Sequence, residues 1–103
     1  ESMLAEFSMT PVGKEESVSK YVARAVEIVD RSGLPYRLTA MGTIVEGSWD
    51  DIFALLKKCH RALEKDCNRI KTTIRLDFRK GHRKRITRMV ESVERSLGRE
   101  VRK

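Results

Sequence analysis

Aromatic residues are scarce in this chain: one tryptophan, two tyrosines and three phenylalanines, 6% of 103 residues. A sheet that reads RNA needs aromatic side chains on its exposed central strands, and no aromatic-rich RNA motif is present. Cysteine is limited to Cys59 and Cys67. They form no metal motif, and a disulfide between them has no support in a cytosolic protein. Cys59 falls on the apolar stripe of a helix and reads as a buried thiol. His60 and Cys59 are adjacent helix positions that diverge, and His82 lies in a basic loop, so no zinc site is expected. No apolar run approaches the ~20 residues of a bilayer span. The opening Glu1-Ser2-Met3-Leu4 lacks the basic and apolar regions of a signal peptide. Met3 is read as the natural start, and a cytoplasmic protein with no membrane contact is expected. An enzyme is not expected either: there is no nucleophile-and-base pair, phosphate loop or metal constellation. No cofactor is called for.

What is there is a mixture of 40% apolar and 36% charged residues, a net charge of +7 and a pI near 9.8. That composition is globular. The length fits one domain, read as residues 3–98, with 99–103 as a charged tail. The most informative stretch runs from Tyr36 to Gly47. It reads as two short strands hinged at Gly42, carrying small hydroxyls and the acid Glu46. Such an apolar strand pair, with hydroxyls and one carboxylate, could cradle a small organic cation.

Periodicity supplies the rest. Met3–Thr10 alternates as a half-buried strand, ended by Pro11-Val12-Gly13. Lys14-Glu15-Glu16 is a solvated connection, and Ser17 is the expected cap of a helix over 17–32. Its stripe is Val18, Tyr21, Val22, Ala25, Val26 and Val29, and Gly33 and Pro35 stop it. Strands follow at 36–41 and 43–47. Ser48, Asp50 and Asp51 open a helix over 48–66 with the stripe Ile52, Leu55, Leu56, Cys59 and Leu63. Residues 69–78 form the fourth strand. Residues 84–98 form a third helix with the stripe Ile86, Met89, Val90, Val93 and Leu97.

This order is β-α-β-β-α-β plus a terminal helix. It predicts an α+β, ferredoxin-like βαββαβ sandwich with an antiparallel sheet of order 4-1-3-2. Phe7, Val22, Val26, Leu38, Leu56, Ile74 and Leu76 are expected to be deeply buried together. The first two helices should cover the face bearing Ala5, Phe7, Leu38, Ile74 and Leu76. The opposite face then carries Glu6, Ser8, Thr39, Met41, Ile44, Glu46, Thr73 and Arg75. That face, and the last helix, are expected to be covered by other copies of the chain.

Three stretches carry a resemblance: Ala5-Glu6-Phe7-Ser8-Met9-Thr10-Pro11-Val12-Gly13, then Tyr36–Gly47 with Met41-Gly42-Thr43 at its centre, then Thr72-Thr73-Ile74-Arg75-Leu76-Asp77. With their spacing, they make the chain similar, from Met3 to about Val93, to the small thiamine-binding ferredoxin-like proteins. These are relatives of the bacterial thiamine and hydroxymethylpyrimidine binder built from tandem copies of the fold. The resemblance implies a homo-oligomer, a dimer of dimers. It also implies a binding protein for thiamine or its pyrimidine part. The ligand is expected on the sheet face away from the first two helices, near Gly42 and at a subunit interface. By motif, the ligand-binding candidates are Glu6, Ser8, Thr39, Met41, Gly42, Thr43, Glu46 and Thr73. The run Arg79–Arg88 is more basic than the family pattern.

The chemistry of those residues agrees. Glu46 or Glu6 could offset a thiazolium or accept from an exocyclic amine. Hydroxyls of Ser8, Thr39 and Thr73 could answer ring nitrogens, and Met41 offers a polarisable wall. Other readings stay open. Thr39, Thr43, Thr72 and Thr73 suit strands simply as β-branched residues. Glu6 and Glu46 could pair with Arg75, Lys71 or Arg37 across the sheet. The competing function is a basic RNA-binding ferredoxin-like module using Arg79, Lys80, Arg83, Lys84, Arg85 and Arg88.

Overall fold

A computed structural model describes residues 2–13 and 18–102 of the chain. The elements follow in the order β1 (Met3–Pro11), α1 (Val18–Ser32), β2 (Tyr36–Thr39), β3 (Gly42–Gly47), α2 (Trp49–Glu64), β4 (Ile70–Phe78) and α3 (Arg85–Leu97). The strands form one antiparallel sheet ordered β2-β3-β1-β4. This is the α+β arrangement predicted, with the order 4-1-3-2 read from the other edge. The solvated connection expected at 14–16 and the Ser17 cap lie outside the described residues.

The alternation of β1 sets the layers. Met3, Ala5, Phe7 and Met9 are buried, while Leu4, Glu6 and Ser8 between them are half-buried. In register, Phe7 lies between Thr43 of β3 and Ile74 of β4, and Ala5 between Val45 and Leu76. Both helices lie over this row. All five residues expected on the α2 stripe are buried, from Ile52 through Leu63. Ser48 accepts the Asp51 amide at 3.1 Å and so caps α2, with Asp50 and Asp51 at the positive end of its dipole.

The expected core needs correcting at its margins. Phe7 and Leu56 are buried as expected and Val26 is half-buried, but Val22, Leu38, Ile74 and Leu76 are exposed. The alternation argument placed Leu38, Ile74 and Leu76 on the helical face, and the register puts them there. Their exposure has a positional cause. β2 and β4 are the two edges, and the helices pack mainly on β1, β3 and β2, leaving β4 uncovered. The stripe of α1 is narrower for the same reason: Tyr21, Ala25 and Val29 are buried, whereas Val18 and Val22 reach the surface. No residue of α3 is fully buried, and Met89, Val93 and Leu97 are exposed.

The two thiols are free and buried. Cys59 sits between the helices, its Sγ donating to the Ala25 carbonyl at 3.7 Å. Burial pushes this thiol from its ordinary value of 9.0 up to about 11. The folded chain therefore holds the Cys59 proton more tightly than the unfolded chain does. Stability should be full below pH 9 and fall as pH rises toward 11, by roughly 2–3 kcal/mol in all. Urea unfolding at successive pH values measures this, and Cys59→Ser or Cys59→Ala should flatten the alkaline limb.

Candidate ligand-binding site

The hairpin that joins β2 to β3 turns through Ala40 and Met41. Gly42 is therefore the first residue of β3, paired with Thr39, and not the turn itself. The turn is closed by Thr39, whose hydroxyl accepts the Met41 amide at 3.1 Å and donates to the Gly42 carbonyl at 2.9 Å. Glycine is required at 42 for two reasons. Its φ is +155°, and a Cβ there would stand 2.9 Å from the Phe7 carbonyl oxygen. The absence of that carbon lets the hairpin lie against β1.

Beside this contact is a cavity of about 320 Å³. Phe7, Met9, Thr43 and Leu38 line it from the sheet, and Val22 and Ala25 close it from α1. Met41, 83% exposed, stands at the turn. The lining is apolar with a few hydroxyls and turn amides, the composition of a small-molecule site.

The eight candidate residues divide among three places. Thr43 borders this cavity from the helical face and Met41 from the turn, while Ser8, Thr39 and Gly42 border it from strand positions that alternate to the other face. Glu6 and Thr73 lie across the sheet on the face away from α1 and α2, Thr73 paired in register with Ser8. Glu6 is held there by Arg75, whose Nε donates to Oε1 at 3.0 Å and whose second guanidinium nitrogen donates to the same oxygen. Pairing of Glu6 with Arg75 was one of the alternatives open from the sequence.

Glu46 occupies a third place. It is 4% exposed, and its carboxylate meets the first turn of α3. Oε2 accepts the Arg85 amide at 3.1 Å, Oε1 the Ile86 amide at 3.4 Å, and Ser2 donates to Oε2 at 3.1 Å. The residue in the cap position, Lys84, has φ +55° and supplies no side-chain cap. A glutamate from a distant strand thus does what a local serine or aspartate does elsewhere. Arg85 adds a second tie, donating to the Asp77 carboxylate and carbonyl at 2.8 and 2.9 Å. That hydrogen bond holds the Asp77 carboxyl below its usual range.

Sequence reasoning overlooked the wall contributed by α1, because Val22, Ala25 and Val26 were read only as core. The available signal was the width of the stripe, six positions on one helix against a sheet whose outer strand is four residues long. The surplus apolar positions are those that border the cavity. Among the described residues, no group of three or more histidine, cysteine, aspartate or glutamate side chains could hold a metal. None of the described helices is long and apolar enough to cross a membrane.

This chain belongs to the thiamine-binding protein family, whose sequence profile matches residues 5–94. Among its relatives is the UPF0045 protein MJ1052 of Methanocaldococcus jannaschii, 35% identical over 91 residues that make up 88% of this chain and 91% of that one. Another is the UPF0045 protein YqgV of Bacillus subtilis, 34% identical over 100 residues, 91% of this chain and 96% of that one. The crystal structure of the M. jannaschii protein superposes with a TM-score of 0.82 over 89% of this chain and 95% of its own. A Thermotoga maritima protein given a provisional role in thiamine biosynthesis or salvage superposes at 0.81, over 90% of this chain and 99% of its own. At 22% identity that second likeness is one of fold alone.

Two substitutions separate the structural parts of this region. Gly42→Ala should cost roughly 1–3 kcal/mol from backbone strain and the Phe7 clash, read as a lower urea midpoint, while Ala40→Gly should cost far less. Glu46→Ala should leave two α3 amides unpaired and cost roughly 1–3 kcal/mol locally. Amide exchange should then speed up in α3 while protection in β1 stays as it was.

Proposed function

We propose that this chain is a binding protein for thiamine or a related pyrimidine-containing small molecule, seated in the cavity beside Gly42. The observation that carries the reading is the cavity itself: an apolar pocket bordered by the Tyr36–Gly47 stretch, in a chain of the thiamine-binding family. Sequence reasoning favoured the face of the sheet away from α1 and α2. The proposal moves the ligand to the helical side, because there Thr43, Met41 and Phe7 line one space. Across the sheet, Glu6 is already occupied by Arg75. Burial of a flat ring against Phe7, Met9 and Leu38 would supply the affinity, with the Thr43 hydroxyl and turn amides orienting the ring nitrogens. The reading is non-catalytic and places the chain in the cytoplasm, where free thiols such as Cys59 and Cys67 stay reduced.

The RNA-binding alternative draws on the exposed Arg79, Lys80, Arg83, Lys84 and Arg88. Against it, the register leaves no aromatic side chain on the open face of the sheet. Phe7, Tyr36 and Phe78 belong to the helical side. A basic segment without a stacking platform binds phosphates weakly and loses them as salt rises.

Calorimetric titration tests the reading. Thiamine and its isolated pyrimidine should each bind saturably, one per chain. Thr43→Val, which keeps the shape and removes the hydroxyl, should weaken the pyrimidine by roughly 0.5–1.5 kcal/mol, and Glu46→Gln should leave affinity unaltered. Absence of binding by either compound would discard the reading.

The same proposal includes assembly into a homo-oligomer, a dimer of dimers. The uncovered Ile74, Leu76 and Phe78 of β4 and Met89, Val93 and Leu97 of α3 are its expected contacts. Light scattering should give a mass above the 11.9 kDa chain. Met89→Glu with Val93→Glu should lower it without changing the circular dichroism.

A further inference from the structure

A second groove lies between α1 and the outer strand β2, with a volume of about 460 Å³. Its floor includes Val22, Val26 and Leu38. The same three residues line the cavity beside Gly42, so the two spaces adjoin. The rest of its lining is different in kind: Tyr36 of β2 with Glu27 and Asp30 of α1. In a chain of net charge +7, this part of the lining is acidic.

Tyr36 donates its hydroxyl to Asp30 Oδ1 at 2.9 Å. Glu27 pairs through Oε1 with Arg31 one turn later at 2.8 Å, but both side chains are well exposed, and such a surface pair is weak. The Tyr36 phenol registers the local field. Its hydrogen bond to Asp30, burial, and the charges of Asp30 and Glu27 all hold it above its ordinary value.

We propose that this groove is the subsite for a positively charged nitrogen heterocycle, its ring on Val22, Val26 and Leu38 and its charge facing Asp30, Glu27 and the Tyr36 ring. Carboxylates offset the charge and the aromatic face attracts it. The adjoining cavity has no carboxylate in its lining, so a ligand with a neutral ring and a cationic ring fits by placing one in each. The inference rests on the reading that the cavity takes the pyrimidine part, and it assigns the other half of the same ligand. It also moves the charged contact from Glu46, which is engaged with α3, to Asp30 and Glu27.

The test is calorimetric titration of the full chain and three variants with two probes, thiamine and its neutral pyrimidine alone. The parent should bind thiamine at least tenfold more tightly than the pyrimidine. Asp30→Asn retains an acceptor for the Tyr36 hydroxyl and should weaken thiamine about tenfold. The double variant Glu27→Gln/Asp30→Asn should weaken it further. Both should leave the pyrimidine within twofold of the parent. Tyr36→Phe keeps the ring and both carboxylates and should stay within a few-fold for thiamine. Unchanged thiamine affinity in the double variant overturns the subsite, as does equal loss for both probes or a loss in Tyr36→Phe matching that in Asp30→Asn. If the parent binds the pyrimidine as tightly as thiamine, the subsite falls and the cavity reading stands. If the parent binds neither, both fall.

Discussion

Burial of the β1 row Met3, Ala5, Phe7 and Met9 beneath the helices is the constraint on which the rest of the structure depends. β1 is a central strand, flanked by β3 and β4 along most of its length. Its alternation decides which side of the sheet receives α1 and α2, and a slip of one residue would reverse every face. The close approach of Gly42 to the Phe7 carbonyl follows from this row, since the hairpin can lie against β1 only where no Cβ intervenes. The cavity is the space left where that hairpin diverges from α1. Phe7 therefore belongs to the core and also lines the cavity.

The parts of the fold that were legible in the sequence are those governed by period. Alternation identified β1 and β4, and the five-residue stripe of α2 is buried in full. The order of elements limited the topology to the sheet observed. What was not legible was coverage. Leu38, Ile74 and Leu76 carry the pattern of buried residues, yet they sit on edge strands, β4 outside the main helix packing and β2 met only by α1 across open grooves. Pattern reports which face a side chain occupies, while exposure depends on what lies above it. The hairpin shows the same limit at smaller scale. Glycine signals a turn, but here the turn is Ala40-Met41, closed by Thr39, and Gly42 answers to a neighbour 35 positions earlier in the chain.

The candidate site was legible as a region and less so as side chains. Five of the eight candidates border one cavity. The two glutamates chosen for their charge do other visible work: Glu6 pairs with Arg75, and Glu46 receives α3. A carboxylate in a strand gives no local sign of whether it faces solvent, a cation or the end of a helix; only the register and the path of the following chain decide. The acids that do stand near the cavity are on α1, in a helix read for its apolar stripe. Glu27 and Asp30 lie just outside that stripe, as residues bordering a groove between a helix and a strand must.

The way α3 is attached has a mechanical consequence. At its N-terminal end Glu46 receives the first amides and Arg85 reaches Asp77. From there thirteen residues extend with no fully buried side chain. At 1.5 Å per residue, the helix is a lever about 20 Å long. A rotation of ~10° about the Glu46 anchor would carry its far end about 3 Å, enough to shift the positions of Val93 and Leu97 by most of a side chain. Glu46 lies on β3, the strand that Gly42 begins four residues earlier. The hairpin and the anchor of the helix thus share one six-residue strand, held on both sides by β1 and β2.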